Sequence, residues 1–133
     1  MIVLDASVLA NVVADDGSDG DQARAALVDA DRACIPDFAD VETVAVMRKR
    51  WLAGDLTEER LAGALEDLRD LELDRYPALP LLQRACELKA NVTVYDGIYV
   101  ALAEALDCAL LTADARLASA SGLQCPVEIL GAS

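Results

Sequence analysis

Short apolar runs alternate with stretches whose apolar residues recur every three or four positions. The chain opens on Ile2-Val3-Leu4-Asp5, which reads as a short buried strand over 2–5, with Ser7 to Ala14 as a helix after it. Residues 20–31 are alanine-rich with interspersed charge and read as a second helix. Residues 32–35 form a second short strand, closed by Pro36, and Asp37 is placed to cap a helix that runs to about Ala53 and ends at Gly54. Thr57-Glu58-Glu59-Arg60 opens another helix, with Leu61, Leu65 and Leu68 on one face; 71–75 alternates like a strand and 78–90 reads as a helix. Thr93-x-x-Asp96 is a capping-box pattern that places Asp96 at the third helical position, ahead of a stripe of Tyr95, Ile98, Tyr99, Leu102 and Leu106. Residues 108–111 read as a buried strand, Thr112 leads into a short helix to about Ala120, and 126–130 as a last strand.

Strands that alternate with helices imply an α/β chain with a mostly parallel sheet covered on both faces. The 133 residues suit one domain over 1–133. No apolar run is long enough for a membrane helix, and the opening residues read as a strand without a charged leader, so the expectation is a cytoplasmic protein with no membrane contact.

Composition narrows the chemistry. The chain has no histidine, which excludes Ser-His-Asp and Cys-His catalysis and histidine as general base. Its four cysteines, Cys34, Cys86, Cys108 and Cys125, have no Cys-x-x-Cys spacing for a metal site; Cys34 and Cys108 read as core filling. The formal net charge of −13 works against a phosphate footprint, yet it suits either a basic protein partner or carboxylates neutralised by a cation; ordinary surface solubility also accounts for an acidic excess.

In parallel sheets, sites open beyond the carboxyl ends of the strands. Asp5 closes the first strand, Asp114 lies just beyond the strand at 108–111, Glu42 stands early in the helix after the second strand, and Asp96 lies in the first turn of its helix. Four acids from four segments converging on one spot would repel strongly, and a hard divalent ion, Mg²⁺ or Mn²⁺, would offset that repulsion. Each acid also has a plainer reading: Asp5, Asp96 and Asp114 as helix caps, Glu42 as a solvated helix residue. Ser7 and Thr112 each lie two residues from an acid, suited either to orient a carboxylate or to cap a helix. Arg48, Lys49, Arg50 and Arg116 are candidates to guide substrate phosphates, or else a solvated face.

These residues carry a resemblance. Ile2-Val3-Leu4-Asp5-Ala6-Ser7 looks like the opening of the PIN-domain family. Cys34-Ile35-Pro36 through Val41-Glu42 is similar to its proline segment and glutamate. Tyr95-Asp96-Gly97-Ile98-Tyr99-Val100-Ala101-Leu102-Ala103 resembles the VapC stretch YDAxYVALA, and Leu110 to Leu117 the stretch LLTxDxRL. The resemblance implies a three-layer α/β/α PIN-like fold and an Mg²⁺- or Mn²⁺-dependent endoribonuclease, the toxin of a toxin–antitoxin pair. It further implies a homodimer or dimer of heterodimers, and inhibition by a VapB-like antitoxin that covers an apolar groove. Carried over by position, Asp5, Glu42, Asp96 and Asp114 form the catalytic set. Asp5, Asp96 and Asp114 hold the metal, and Glu42 orients a water or acts as its base. Two departures stand out: Arg116 occupies the region where some members carry a further acid, and Gly97 replaces the commoner alanine, which lowers helix propensity there. Leu56, Leu61 and Leu65 belong either to that groove or to the core, and the core is the preferred reading.

Three alternatives remain at this stage. A haloacid-dehalogenase-like phosphatase would want a second aspartate where Ser7 stands, and a well-placed lysine. A receiver-type signalling domain would want paired acids after the first strand. A non-catalytic PIN-like binding domain would not need the full acidic set.

Overall fold

The computed structural model describes residues 1–131; positions 132–133, the last of the domain read from the sequence, lie outside the described residues. Strands β1 (Ile2–Leu4), β2 (Ala33–Pro36), β3 (Asp74–Tyr76), β4 (Ala109–Thr112) and β5 (Val127–Ile129) form one sheet in the order β3-β2-β1-β4-β5. Every pairing in it is parallel. The helices are α1 (Ala6–Ala14), α2 (Ser18–Asp29), α3 (Ala39–Leu52), α4 (Glu58–Asp70), α5 (Leu82–Glu87), α6 (Val94–Leu106) and α7 (Ala115–Ala118), with a 3₁₀ turn at Leu79–Leu81 before α5.

The strand order fixes where the helices lie. From β1 through β2 to β3 the chain steps outward; it then crosses back over β2 and β1 to reach β4 and continues to β5. Parallel crossovers are right-handed, so the reversal places α1–α4 on one face and α5–α7 on the other. The packing agrees: α1 packs on α2, α3 and α4, whereas α5 packs on α6, which lies across β1, β2 and β4. The result is three layers, α/β/α. The reversal falls between β1 and β4, where a cleft opens at the carboxyl ends of the strands.

The inner strands read as continuous apolar runs because they are covered on both sides: Val3, Leu4, Cys34, Ile35, Leu110 and Leu111 are all buried. Every residue of α1 except Ser7 is buried as well. Truncating such a side chain to alanine costs about 2–5 kcal/mol. Cys34 is in this core, while Cys108 is only half-buried against it. No described helix is long and apolar enough to cross a membrane.

Several local expectations change. Asp37 does not cap α3: its Oδ1 accepts the Ala78 N–H at 3.2 Å, and α3 starts after Phe38 with no side-chain cap. The second helix begins at Ser18, before the alanine-rich stretch, because Asp15 Oδ1 accepts the N–H groups of Gly17 and Gly20 at 2.9 and 3.0 Å. The strand read at 71–75 is Asp74–Tyr76, since Leu71 is spent closing α4 through its N–H to the Asp67 carbonyl. The helix read at 78–90 is a 3₁₀ turn followed by the short α5, with Pro80 inside the turn where it donates no hydrogen bond. Tyr95 belongs to the apolar stripe only by spacing: at the exposed start of α6 it is 64 % accessible and packs edge-on against Phe38.

Candidate active site

Asp5 leaves the end of β1 at the reversal point, and its N–H donates to the Leu111 carbonyl of β4 at 3.2 Å. It caps α1: Oδ1 accepts the Val8 N–H at 3.1 Å. Capping is not its whole environment, however. Ser7 Oγ donates to Oδ1 and Thr112 Oγ1 to Oδ2, both at 2.5 Å. Each hydroxyl in turn accepts an N–H from the turn after β4, Ser7 from Ala113 at 3.1 Å and Thr112 from Asp114 at 3.0 Å. Two parallel relays therefore run from the β4–α7 turn to the two oxygens of one carboxylate, which is 6 % exposed. Burial pushes the Asp5 pKa up even against these donors.

The other three acids stand around it. Asp96 occupies the first turn of α6, where Thr93 Oγ1 accepts the Asp96 N–H at 3.1 Å. Its pKa is raised by burial first, then by the charges of Asp5 and Asp114. Glu42, early in α3, accepts a hydrogen bond at Oε1 from Tyr99 Oη at 3.2 Å; burial and then the charges of Asp96 and Asp5 raise its pKa, against that bond. Asp114 caps α7 and accepts from Arg116, whose Nε and Nη2 lie 3.3 Å from Oδ1 and Oδ2, and this pairing lowers its pKa. Four carboxylates from β1, α3, α6 and the end of β4 thus share one electrostatic field.

Among the described residues, no three of them already enclose a single coordination point. The reason is visible in their partners: Asp5 is held by hydroxyls, Glu42 by a phenol and Asp114 by a guanidinium. The donor set is all oxygen, and the charges of neighbouring acids raise the pKa of both Asp96 and Glu42. That chemistry fits a hard divalent ion, which replaces repulsion with attraction.

A cleft of about 500 Å³ opens beside the acids, lined by Thr93, Asp96, Asp114 and Arg116 with Lys89 and Asn91. Of the basic residues read from the sequence, Arg116 lies on this cleft with its side chain 92 % exposed. Arg48 and Lys49 are exposed near the far end of α3, and Arg50 is turned away: its Nη2 donates to Asn11 Oδ1 at 2.7 Å, between α1 and α3. Lys89 and Tyr99 were not among the site residues read from the sequence. Tyr99 was hidden in the apolar stripe, although its place three residues after Asp96 puts both on one helix face.

A second concavity, about 420 Å³, lies between α3 and α4 and is lined by Val41, Val44, Leu65 and Leu68, with Asp40, Arg69 and Arg75 at its rim. Leu56 is in the core and Leu61 packs against it, as read from the sequence; Leu65 lines this groove instead.

The family model described as PIN domain matches residues 2–123. The chain is 40% identical over 130 residues to Ribonuclease VapC9 of Mycobacterium tuberculosis, covering 98% of both, and 37% identical over 129 residues to Ribonuclease VapC1 of the same organism, covering 96% of both. Among solved structures it resembles Mycobacterium tuberculosis VapC20, described as a sarcin-ricin loop cleaving toxin, with a TM-score of 0.65 at 12% identity, over 83% of this chain and 87% of that one. It also resembles PAE2754 from Pyrobaculum aerophilum, with a TM-score of 0.65 at 19% identity, over 96% and 83%. At these identities the structural likenesses bear on fold alone, and it is the fold read from the sequence. The phosphatase and receiver readings have no counterpart in these matches, and Ser7, where the phosphatase would need an acid, is bonded to Asp5.

Proposed function

The chain belongs to the PIN domain family, among its VapC-type members, and on that premise we propose that it is a divalent-metal-dependent endoribonuclease, the toxin of a VapBC-type pair. The observation that carries the reading is the shared field of Asp5, Glu42, Asp96 and Asp114 at the reversal point between β1 and β4. Asp5, Asp96 and Asp114 would hold Mg²⁺ or Mn²⁺, directly or through water. When bound, such an ion lowers the pKa of coordinated water and offsets charge that builds on phosphate oxygens. Ser7 and Thr112 keep both Asp5 oxygens oriented. Glu42, with its pKa raised, orients the attacking water and takes its proton. In-line attack at phosphorus would then break the bond to the 3′ oxygen, which takes a proton from solvent as it leaves, giving 5′-phosphate and 3′-hydroxyl ends. No 2′-hydroxyl attack is needed, in keeping with a chain that has no histidine.

Arg116 and, further off, Arg48 and Lys49 supply positive charge for RNA phosphates around an acidic centre. A VapB-like antitoxin is the protein partner in this reading, and the apolar groove between α3 and α4 suits an amphipathic segment of it. The net charge of −13 favours a basic partner. The toxin would act in the cytoplasm as a homodimer or a dimer of heterodimers.

Sequencing of RNA ends after incubation with purified protein and Mg²⁺ tests the reading. We expect cleavage that leaves 5′-phosphates, stops with a chelator and returns with Mn²⁺. Cleavage that continues in the chelator, or leaves 2′,3′-cyclic phosphates, overturns the mechanism. A well-folded protein that binds RNA and never cleaves it favours the non-catalytic alternative.

A further inference from the structure

Tyr99 is 0 % exposed, set in the otherwise apolar face of α6 where a phenylalanine would fill the same volume. Its hydroxyl reaches across the carboxyl edge of the sheet to α3, where it donates to Glu42 Oε1 at 3.2 Å. Phe38 packs edge-on to the ring at 5.4 Å between centroids and holds it in place. The glutamate, by contrast, has little else to hold it. It sits half-buried at the start of a helix that has no side-chain cap, and its carboxylate has no other hydrogen-bond partner among the described residues.

We propose that Tyr99 is a positioning residue: its core-held hydroxyl keeps the Glu42 carboxylate turned toward Asp5 and Asp96, in the orientation the reacting water requires. A glutamate side chain loses much rotational freedom when fixed, so a rigid donor that fixes it in advance removes that cost from each turnover. The converse reading, that Glu42 merely satisfies a buried phenol, explains the bond equally well on its own. It makes the opposite prediction for removal of the hydroxyl, because a phenylalanine there leaves nothing unsatisfied. The chemistry of this inference rests on the nuclease reading; the geometry does not.

Four proteins decide between them: the unaltered chain, Tyr99→Phe, Glu42→Gln and the double variant. Each is assayed for RNA cleavage and, with no RNA present, for Mn²⁺ binding by calorimetry. We expect Tyr99→Phe to lower kcat roughly tenfold with KM for RNA unchanged and a melting temperature close to that of the unaltered chain. We expect Glu42→Gln to lose on the order of a hundredfold or more, and the double variant to be no slower than Glu42→Gln alone. Mn²⁺ should bind more weakly to both single variants, and the Tyr99→Phe effect should vanish once Glu42 is gone. An unaltered kcat in Tyr99→Phe, or equal effects with and without Glu42, overturns the proposal. If the unaltered chain cleaves no RNA, the nuclease reading fails by itself; coupled Mn²⁺ effects then still support the Tyr99–Glu42 linkage, and uncoupled ones reject it.

Discussion

Asp5 and Asp114 extend from neighbouring strands at the same edge of the sheet, yet they are held in opposite ways. Asp5 is buried, takes two hydroxyl donors and one backbone donor, and has its pKa pushed up because burial outweighs all of them. Asp114 is partly open, takes its donors from the exposed Arg116, and has its pKa pulled down. The same side-chain type thus provides an inner, buried acid held by three donors and an outer acid whose side-chain partner, Arg116, is exposed. The contrast implies a steep gradient in what substitutions do.

The largest effect should come from Asp5→Asn, which removes the fixed charge and leaves the shape. We expect divalent-dependent cleavage to fall at least about a thousandfold, more than for any other acid in the site, with the fold retained. Stability should move the other way. A carboxyl whose folded pKa is raised binds its proton more tightly in the folded state, so its contribution is greatest at low pH and fades as pH climbs from about 4 through the raised value. Without divalent ions, urea titrations should therefore show Asp5→Asn gaining on the unaltered chain as pH rises from 4 to 7, and added Mn²⁺ should reverse the order. A gap that does not change with pH would mean that burial does not govern this carboxyl.

Next come the relays. Ser7→Ala and Thr112→Val each remove one hydroxyl from Asp5 and orphan one N–H of the β4–α7 turn. Groups that orient a metal-holding carboxylate typically matter by about 10–100-fold, and we expect losses in that range in Mn²⁺ affinity. Because the two relays meet on one carboxylate, their effects should not add; strict additivity in the double variant would show that they work independently.

The inner acid and one of its two relays were legible in the sequence. An apolar run that ends in an acid needs only the carboxyl-edge rule to be placed, and the spacing Asp5-x-Ser7 brings that hydroxyl to its acid; Thr112 reads as a neighbour of Asp114, whereas its hydroxyl donates across the sheet to Asp5 and takes only the Asp114 N–H. Features that depend on what arrives from elsewhere were not legible. Asp37 looks like a cap until the Ala78 N–H claims it, and Tyr99 looks like core until Glu42 comes within reach of its hydroxyl. Gly97 is the sharpest case. Helix propensity alone reads it as a weak point, but a Cβ there would lie 3.0 Å from the Ala85 Cα and 3.1 Å from its carbonyl oxygen, both backbone atoms of α5. The missing side chain lets α5 close on the helix that carries Asp96. Gly97→Ala should thus destabilise by about 1–3 kcal/mol through overpacking rather than gain the ~1 kcal/mol that propensity offers, as thermal or urea melts will show. A gain would mean that α5 yields easily.

The smallest effect should come from Arg116→Ala, at the opposite end of the gradient from Asp5. An exposed ion pair between residues two apart contributes almost nothing to folding, so the melting temperature should stay where it is. What changes is the outer acid. Freed of the guanidinium, Asp114 should lose the largest cause that holds its pKa down and keep only the backbone N–H of residue 116 as a lowering donor. If Arg116 also meets RNA phosphates, the variant should bind a non-cleavable RNA more weakly, with a salt dependence shallower by about one counterion. An unchanged salt slope would confine Arg116 to screening Asp114. A large drop in stability would contradict the division into a buried inner acid and a more open outer one, because the outer ion pair would then be built into the fold as firmly as the inner contacts.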